Sequence, residues 1–136
     1  MGLPEVLFNA FPGMGAYSLL ARKLDAQRAE KMILSGRTFK AEELYDMGIV
    51  DVLAEKGGGR EAARQYIADN TRRQPLLCAI QKVRQRVAPL TRQELIDVTD
   101  IWVDTTMELE PHDLRMMEYL TKAQIRRRER DAARRA

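Results

Sequence analysis

The chain has 136 residues, 45% of them apolar, a composition that suits one domain with a modest core and argues against disorder. Its net charge is only +3, and a single cysteine excludes an internal disulfide bond. No apolar run approaches the roughly 20 residues of a transmembrane helix, and no secretory leader is visible. We therefore expect a cytoplasmic protein without a membrane span.

The positive charge is concentrated in an arginine-rich stretch from Arg126 to Arg135. A nucleic-acid site would combine such charge with aromatic side chains on which bases stack, and this stretch contains none. Cations near the end of a helix also complement the helix dipole. We therefore predict a solvated helix end and no nucleic-acid partner.

A carboxylate and a glycine-rich turn lie close together at the start of the chain. Glu5 follows a proline, and the turn Pro12-Gly13-Met14-Gly15 opens a helix predicted from Ala16 to Leu24. Glycine lets backbone N–H groups approach a ligand closely because it has no Cβ. On spacing alone, Glu5 is either an acid/base group or a solvated side chain beside a turn.

Helix and strand signals follow in chain order. Asp25 is a helix cap, and the helix after it is predicted to end at Gly36. A short helix over residues 41–47 stops at Gly48. The β-branched run over residues 49–53 then predicts a strand, which needs a partner sheet to be stable.

The second half of the chain predicts helices only. Glycines at 57–59 connect to a helix over residues 61–73, and Pro75 begins another helix that runs to about Val87 and carries Cys78 as a buried, inert thiol. Thr91 and Glu94 form a capping box for the next helix. The last two helices, separated by a proline, carry apolar stripes that must pack on something: Leu95, Val98, Trp102 and Leu109, then Leu114, Met117, Leu120 and Ile125.

Three signatures in the first part of the chain occur in a characteristic order: Pro4-Glu5 before Pro12-Gly13-Met14-Gly15, then Ser35-Gly36, then Gly48-Ile49-Val50. Together they resemble the crotonase (enoyl-CoA hydratase/isomerase) family. The resemblance implies an α/β crotonase-like fold, of which this chain is expected to be the mostly α-helical C-terminal half with one or two short strands. Residues 1–56 would complete the crotonase core, and residues 60–136 would form a helical region for oligomerisation and for covering the acyl site.

The resemblance also implies a chemistry. Family members turn an acyl thioester into an enolate, whose charge is held by two backbone N–H groups, while two carboxylates move protons at neighbouring carbons. Glu5 would be the catalytic group at the α-carbon. Its partner carboxylate and the oxyanion N–H groups would belong to a missing N-terminal half, so we expect no turnover from the 136-residue chain alone.

The remaining site residues are also implied by the resemblance. Gly13, Met14, Trp102 and Leu120 are candidates for binding the acyl substrate, although each of the three side chains taken singly is more typical of a core. An acyl-CoA or acyl carrier protein thioester would be the substrate, and we expect no cofactor and no metal. The resemblance also implies a homo-oligomer, a trimer or a dimer of trimers.

One departure from the common family pattern points to a subgroup. Gly15-Ala16-Tyr17 stands where most members have Gly-Gly-Thr, and Ile101–Met107 is similar to the same subgroup, the synthases of diffusible signal factor. That similarity implies dehydration of a 3-hydroxyacyl thioester to its cis-2-enoyl form, followed by thioester cleavage. Two alternatives stay open: an ordinary enoyl-CoA hydratase or isomerase, and a non-catalytic helical module that assembles or binds a partner.

Overall fold

The structure is a computed structural model that describes residues 1–133 apart from the side chain of Asp131, and it is mostly helical. A short 3-10 helix, Pro4–Phe8, comes first, and a second 3-10 turn, Thr71–Arg73, lies between two long helices. The α-helices are α1 (Ala16–Lys23), α2 (Ala26–Leu34), α3 (Ala41–Asp46), α4 (Gly59–Asn70), α5 (Gln74–Val87), α6 (Arg92–Met107) and α7 (Pro111–Ala133). Residues 134–136, the end of the predicted solvated helix, lie outside the described residues.

The hydrophobic core is small and lies within the first 50 residues. Helices α1 and α2 pack on each other, and Ala29 on α2 is completely buried. The predicted cap of α2 is confirmed, since the Asp25 side chain accepts a hydrogen bond from the Arg28 N–H at 2.8 Å. The buried cluster consists of Leu20, Ala29, Met32, Ile33, Phe39 and Leu44.

The 3-10 helix that carries Glu5 is held at both ends. Before it, Gly2 forms an isolated antiparallel bridge with Thr38. After it, Asn9 adopts a left-handed conformation with φ of 58°, which asparagine tolerates better than most residues. The Ala10 N–H donates to the Glu5 carbonyl at 3.1 Å and closes the turn. The backbone of Glu5 is therefore fixed by local hydrogen bonds.

The predicted strand over residues 49–53 is wrong. Residues 1–133 contain no strand beyond the isolated bridge at Gly2. The N–H groups of Ile49 and Val50 instead donate to the Leu44 carbonyl, at 2.8 and 3.1 Å, and so finish the C-terminal end of α3. A β-branched run forms a strand only where a second strand offers free N–H and C=O groups, and the described chain offers none.

The predicted helices are confirmed with small shifts at their ends. The helix predicted over residues 61–73 begins two residues earlier, at Gly59, and its last turn tightens into the 3-10 turn Thr71–Arg73. The predicted capping box of α6 is only half formed. Thr91 accepts from the Glu94 N–H at 3.0 Å, but the Glu94 carboxylate binds another helix instead of the Thr91 backbone.

Helices α4 and α5 bury little of their apolar surface. The main contact of each is with the 3-10 turn between them. Ile67 on α4 is 68% exposed, and Leu76, Val83 and Val87 on α5 are more than half exposed. The prediction that Cys78 is buried is therefore wrong: its helix is amphipathic, but no other described element covers the apolar face, and the thiol is exposed.

The start of α6 is fastened to α1 by one arginine. The Arg22 guanidinium donates to both Glu94 carboxylate oxygens, at 2.8 and 2.5 Å. It also donates to the carbonyls of Ser18, Ala88 and Pro89, at 2.9, 3.1 and 2.6 Å. All five N–H donors of the guanidinium are thus used. The Arg22–Glu94 pair fixes both the preceding loop and the first turn of α6.

The Arg22–Glu94 pair makes the packing of α6 on α1 depend on pH, and acid should weaken it. The Arg22 guanidinium, and after it the Ser18 hydroxyl, hold the pKa of Glu94 below its ordinary value. A carboxylate whose pKa is lowered on folding contributes its stabilisation above the unfolded pKa of about 4.3, and loses it as the pH falls through the folded value. We expect the Trp102 emission of the wild-type chain to shift to longer wavelength between pH 5 and pH 3, as α6 loosens and the indole meets water.

Glu94→Gln is the matched variant for this prediction. It keeps the side-chain shape and removes the charge, so its emission at neutral pH should already be red-shifted and should change less with acid. Asp25 and Glu43 also have lowered pKa values, the first through bonds from Arg28 and the second through bonds from Lys40, and they titrate in both proteins alike. Superimposable emission curves of wild type and variant from pH 7 to pH 3 would contradict the prediction.

Candidate functional site

Glu5 combines a fixed backbone with an unpartnered buried oxygen. It lies in the 3-10 helix directly after Pro4, whose ring fixes the backbone angle of the first turn. Its side chain is partly buried, and Oε2 has neither solvent contact nor a hydrogen-bond partner among residues 1–133. Buried polar atoms without partners are rare in native proteins and call for a ligand, a water or a strained functional site as explanation.

The glycine-rich turn is covered by α6. A Cβ on Gly13 would lie 2.1 Å from Cγ of Trp102, so the indole occupies the space that any side chain at position 13 would need. Gly15 adopts φ of +81° and begins α1, and a Cβ there would lie 3.2 Å from Cδ2 of Leu95. Because glycine has no Cβ, side chains of α6 can lie directly against the backbone of this turn.

Helix α7 packs against the 3-10 helix that carries Glu5. Between them lies a cleft of about 550 Å³. Its apolar lining includes Pro4, Leu7 and Leu120, and Arg127 and Arg128 stand at the same cleft. The cleft therefore offers an apolar wall beside the turn that carries Glu5, with cations at its α7 side.

The structure brings only some of the predicted site residues together. Gly13 and Trp102 are in direct contact, and Leu120 lines the cleft beside the 3-10 helix of Glu5. Met14 is 86% exposed and contributes to no wall in the described chain. The substrate-binding role of these four residues and the catalytic role of Glu5 stay predictions.

Two polar residues of α1 were missed by the sequence analysis. Arg22 fastens α6, and Ser18, which is 3% exposed, lies beside the same carboxylate. Tyr17 donates from its hydroxyl to Glu30 at 2.8 Å, and this bond, followed by burial, raises the Tyr17 pKa. No local pattern reveals the Arg22–Glu94 pair, because 72 residues separate its members.

The described residues place no group of three histidine, cysteine, aspartate or glutamate side chains where they would hold a metal ion. Within the same residues, every helix is too short or too polar to cross a lipid bilayer.

Comparison of the sequence with known protein families assigns the chain to one of them. The family model described as enoyl-CoA hydratase/isomerase matches residues 1–123, and the chain belongs to that family. The expected crotonase resemblance is thereby confirmed at the level of the family.

Several curated proteins are similar in sequence. The chain is 32% identical over 91 residues to the glyoxysomal fatty acid beta-oxidation multifunctional protein MFP-a of Brassica napus, covering 66% of this chain and 12% of that protein. It is 42% identical over 57 residues to mevalonyl-coenzyme A hydratase SIDH of Beauveria bassiana, and the match covers 42% of this chain and 20% of that protein. It is 32% identical over 84 residues to 2,3-dehydroadipyl-CoA hydratase of Escherichia coli, and the match covers 62% of this chain and 32% of that protein. The chain thus spans a third or less of the length of these relatives.

Because Trp102 occupies the space beside Gly13, adding even a methyl group at position 13 should destabilise the fold. Gly13→Ala places a methyl group inside the indole, so α6 must move, at a cost of about 1–3 kcal/mol in unfolding free energy. Urea unfolding followed by Trp102 fluorescence measures this cost. Gly59→Ala is the control, because a Cβ there meets nothing within 4 Å, and it should be neutral or stabilising by up to about 1 kcal/mol. Equal unfolding midpoints for the two variants would show that Trp102 does not dock on the turn.

Proposed function

We propose that this chain supplies the α-carbon acid/base residue of an enzyme that adds or removes water across the α and β carbons of an acyl thioester. The observation that carries the proposal is the Glu5 carboxylate, with Oε2 buried and unpartnered on a fixed turn of a family member. A carboxylate that shuttles a proton needs an oxygen free to face the substrate and a backbone that does not move. The Glu5 backbone is fixed by local hydrogen bonds, and its Oε2 makes no hydrogen bond within residues 1–133, which supports the proposal.

The reaction in the dehydrating direction has two proton transfers. Glu5 accepts the α-proton, and the electron pair of the C–H bond forms the enolate, whose oxygen is held by backbone N–H groups. The pair then returns to form the α–β double bond as the β-hydroxyl, protonated by a second acid, leaves as water. The second acid and the oxyanion N–H groups are proposed to come from the rest of the family domain, since one carboxylate alone is not a site.

The cleft between α7 and the 3-10 helix suits the acyl part of such a substrate. Pro4, Leu7 and Leu120 give it an apolar wall, and each buried CH₂ contributes about 0.8 kcal/mol to binding. Arg127 and Arg128 stand at the same cleft, where an anionic carrier group would be attracted. The carrier is proposed to be coenzyme A or acyl carrier protein.

The finer proposal is the synthesis of a cis-2-unsaturated fatty-acid signal, with cleavage of the thioester. Its support is the Gly15-Ala16-Tyr17 segment, in which Tyr17 uses its hydroxyl to join α1 to Glu30 of α2. A second candidate is an ordinary enoyl-CoA hydratase or isomerase. That candidate is favoured by similarity to two proteins that are named as hydratases.

Assembly with further protein surface is part of the proposal. The apolar face of α5 is exposed along its length, and surface of this extent is typical of an interface. A homo-oligomer of the intact protein, a trimer or a dimer of trimers, would supply such an interface. A purely structural helical module has weaker support, because it leaves the buried Glu5 oxygen unexplained.

The role of Glu5 predicts a loss of turnover without a loss of fold. In the native enzyme, Glu5→Gln should lower kcat for hydration of a trans-2-enoyl-CoA by at least about 100-fold, since the amide cannot deliver a proton to the α-carbon. The circular dichroism spectrum should be unchanged. Glu42→Gln on the exposed side of α3 is the matched control and should keep wild-type turnover. A Glu5→Gln enzyme with normal turnover would remove Glu5 from the mechanism.

The two candidate reactions predict different products. A signal-factor synthase supplied with a 3-hydroxyacyl thioester should release a free cis-2-enoic acid, because it also cleaves the thioester. An ordinary hydratase should leave a trans-2-enoyl thioester in equilibrium with the substrate. Gas chromatography with mass spectrometry, before and after alkaline hydrolysis, distinguishes free from thioester-bound acid. A trans product found only after hydrolysis would contradict the finer proposal.

A further inference from the structure

Helix α6 is attached to the rest of the chain mainly by side chains. Among residues 1–133, no other helix shares extensive contacts with it, and Ile101, Val103 and Met107 leave its outer side exposed. Within the same residues, the Arg22–Glu94 pair is the only ion pair that joins α6 to another element. The position of α6 therefore depends strongly on the Arg22 guanidinium.

The bonds between Arg22 and Glu94 are made close to the glycine turn. Glu94 is followed directly by Leu95, whose Cδ2 would lie 3.2 Å from a Cβ on Gly15. On the α1 side, the Arg22 guanidinium donates to the Ser18 carbonyl at 2.9 Å, and Ser18 lies in the helix that begins after Gly15. A shift of Glu94 is therefore passed to the turn through the next residue of α6.

The glycine turn needs such support because its own backbone is unusually free. Glycine loses more conformational freedom on folding than any other residue. Between Gly13 and Gly15 stands Met14, which is 86% exposed, so its side chain gives the turn little support. Trp102 and Leu95 of α6 lie against the two glycines instead. The conformation of the turn is thus coupled to the position of α6.

Arg22 is suited to this task by the number of its donors. Its N–H groups donate to both Glu94 oxygens and to the carbonyls of Ala88 and Pro89, at 2.5 to 3.1 Å. One planar group therefore fixes both the loop before α6 and the first turn of that helix. A lysine would present a single ammonium group and could not reproduce this fork.

We infer that Arg22 is a positioning residue for acyl binding: through Glu94 and α6, it holds the glycine turn in the shape that accepts the acyl group. The inference rests on the proposed function, which gives the turn its acyl substrate. Glu5 lies on a separate segment, whose backbone is closed by the bond from the Ala10 N–H to the Glu5 carbonyl at 3.1 Å. Loss of Arg22 should therefore weaken acyl binding far more than it slows proton transfer.

The first test is a resonance of the turn itself in the 136-residue chain. Pro12-Gly13 is the only proline–glycine pair in the sequence, so ¹³C-carbonyl proline combined with ¹⁵N-glycine selects the Gly13 amide alone. Arg22→Met keeps the apolar stem and removes every donor, so the Gly13 resonance should shift. Arg28→Met on α2 is the matched control, because it also removes an arginine–carboxylate pair, with Asp25. An unmoved Gly13 resonance in Arg22→Met, or an equal shift in Arg28→Met, overturns the inference.

The second test separates binding from chemistry in the native protein. Butanoyl-CoA, a saturated acyl thioester that cannot be hydrated, is the probe for calorimetry. Arg22→Met should raise its Kd by about 10-fold, a coupling of ordinary size between two sites. The kcat for a trans-2-enoyl-CoA should stay within about 3-fold of the wild-type value. Arg22→Lys keeps the charge and one bond to Glu94, so its Kd should be intermediate.

Each outcome decides the inference. A Kd that is raised in Arg22→Met, intermediate in Arg22→Lys and unchanged in Arg28→Met supports it. An unchanged Kd in Arg22→Met, no binding by wild type, or a loss confined to kcat overturns it. If circular dichroism shows that Arg22→Met has unfolded, Glu94→Gln replaces it and must both shift the Gly13 resonance and raise the Kd, or the inference is overturned.

Failure of the proposed function would look different. If Arg22→Met weakens butanoyl-CoA binding while the native Glu5→Gln enzyme keeps full turnover, the inference stands and the proposed function fails. If Glu5→Gln abolishes turnover while Arg22→Met binds butanoyl-CoA as wild type does, the proposed function stands and the inference fails.

Discussion

The contact of Trp102 with Gly13 is the constraint on which the arrangement of the candidate site depends. An indole can lie in the space of a missing Cβ only if the helix that carries it is held in one register, and the Arg22–Glu94 pair provides that hold two turns earlier. The polar pair and the apolar contact therefore act on the same helix at different points. Together they hold α6 on the glycine turn, while α7 packs on the 3-10 helix that carries Glu5.

Buried apolar surface is distributed unevenly along the chain. A compact core orders the first 50 residues; α6 then covers the glycine turn, and α7 packs on the 3-10 helix. Helices α4 and α5 connect these parts and keep their apolar faces exposed. Because an amphipathic helix is stabilised mostly by burying its apolar face, these two helices require a further surface.

Much of the local structure was predictable from the sequence, and the reasons are local. Asp25 caps α2 through the N–H three residues on, and Pro75 lies in the first turn of α5, because caps and proline geometry act over a few bonds. The prediction of a strand over residues 49–53 was wrong because a strand needs a partner strand, which the local sequence does not reveal. The prediction that Cys78 is buried was wrong for the same reason. The amphipathic pattern of a helix shows which face is apolar, but not whether another element covers that face.

The candidate site shows the same division. The sequence by itself determined the family, the Pro-Glu turn, the glycine turn and the positions of the helices, since these follow from motifs and short-range chemistry. Only the tertiary structure decided that Trp102 fills the space at Gly13, that Met14 is exposed, and that Arg22 binds Glu94. These pairings join residues far apart in the chain, and they arise from the packing of whole helices, which no single segment encodes.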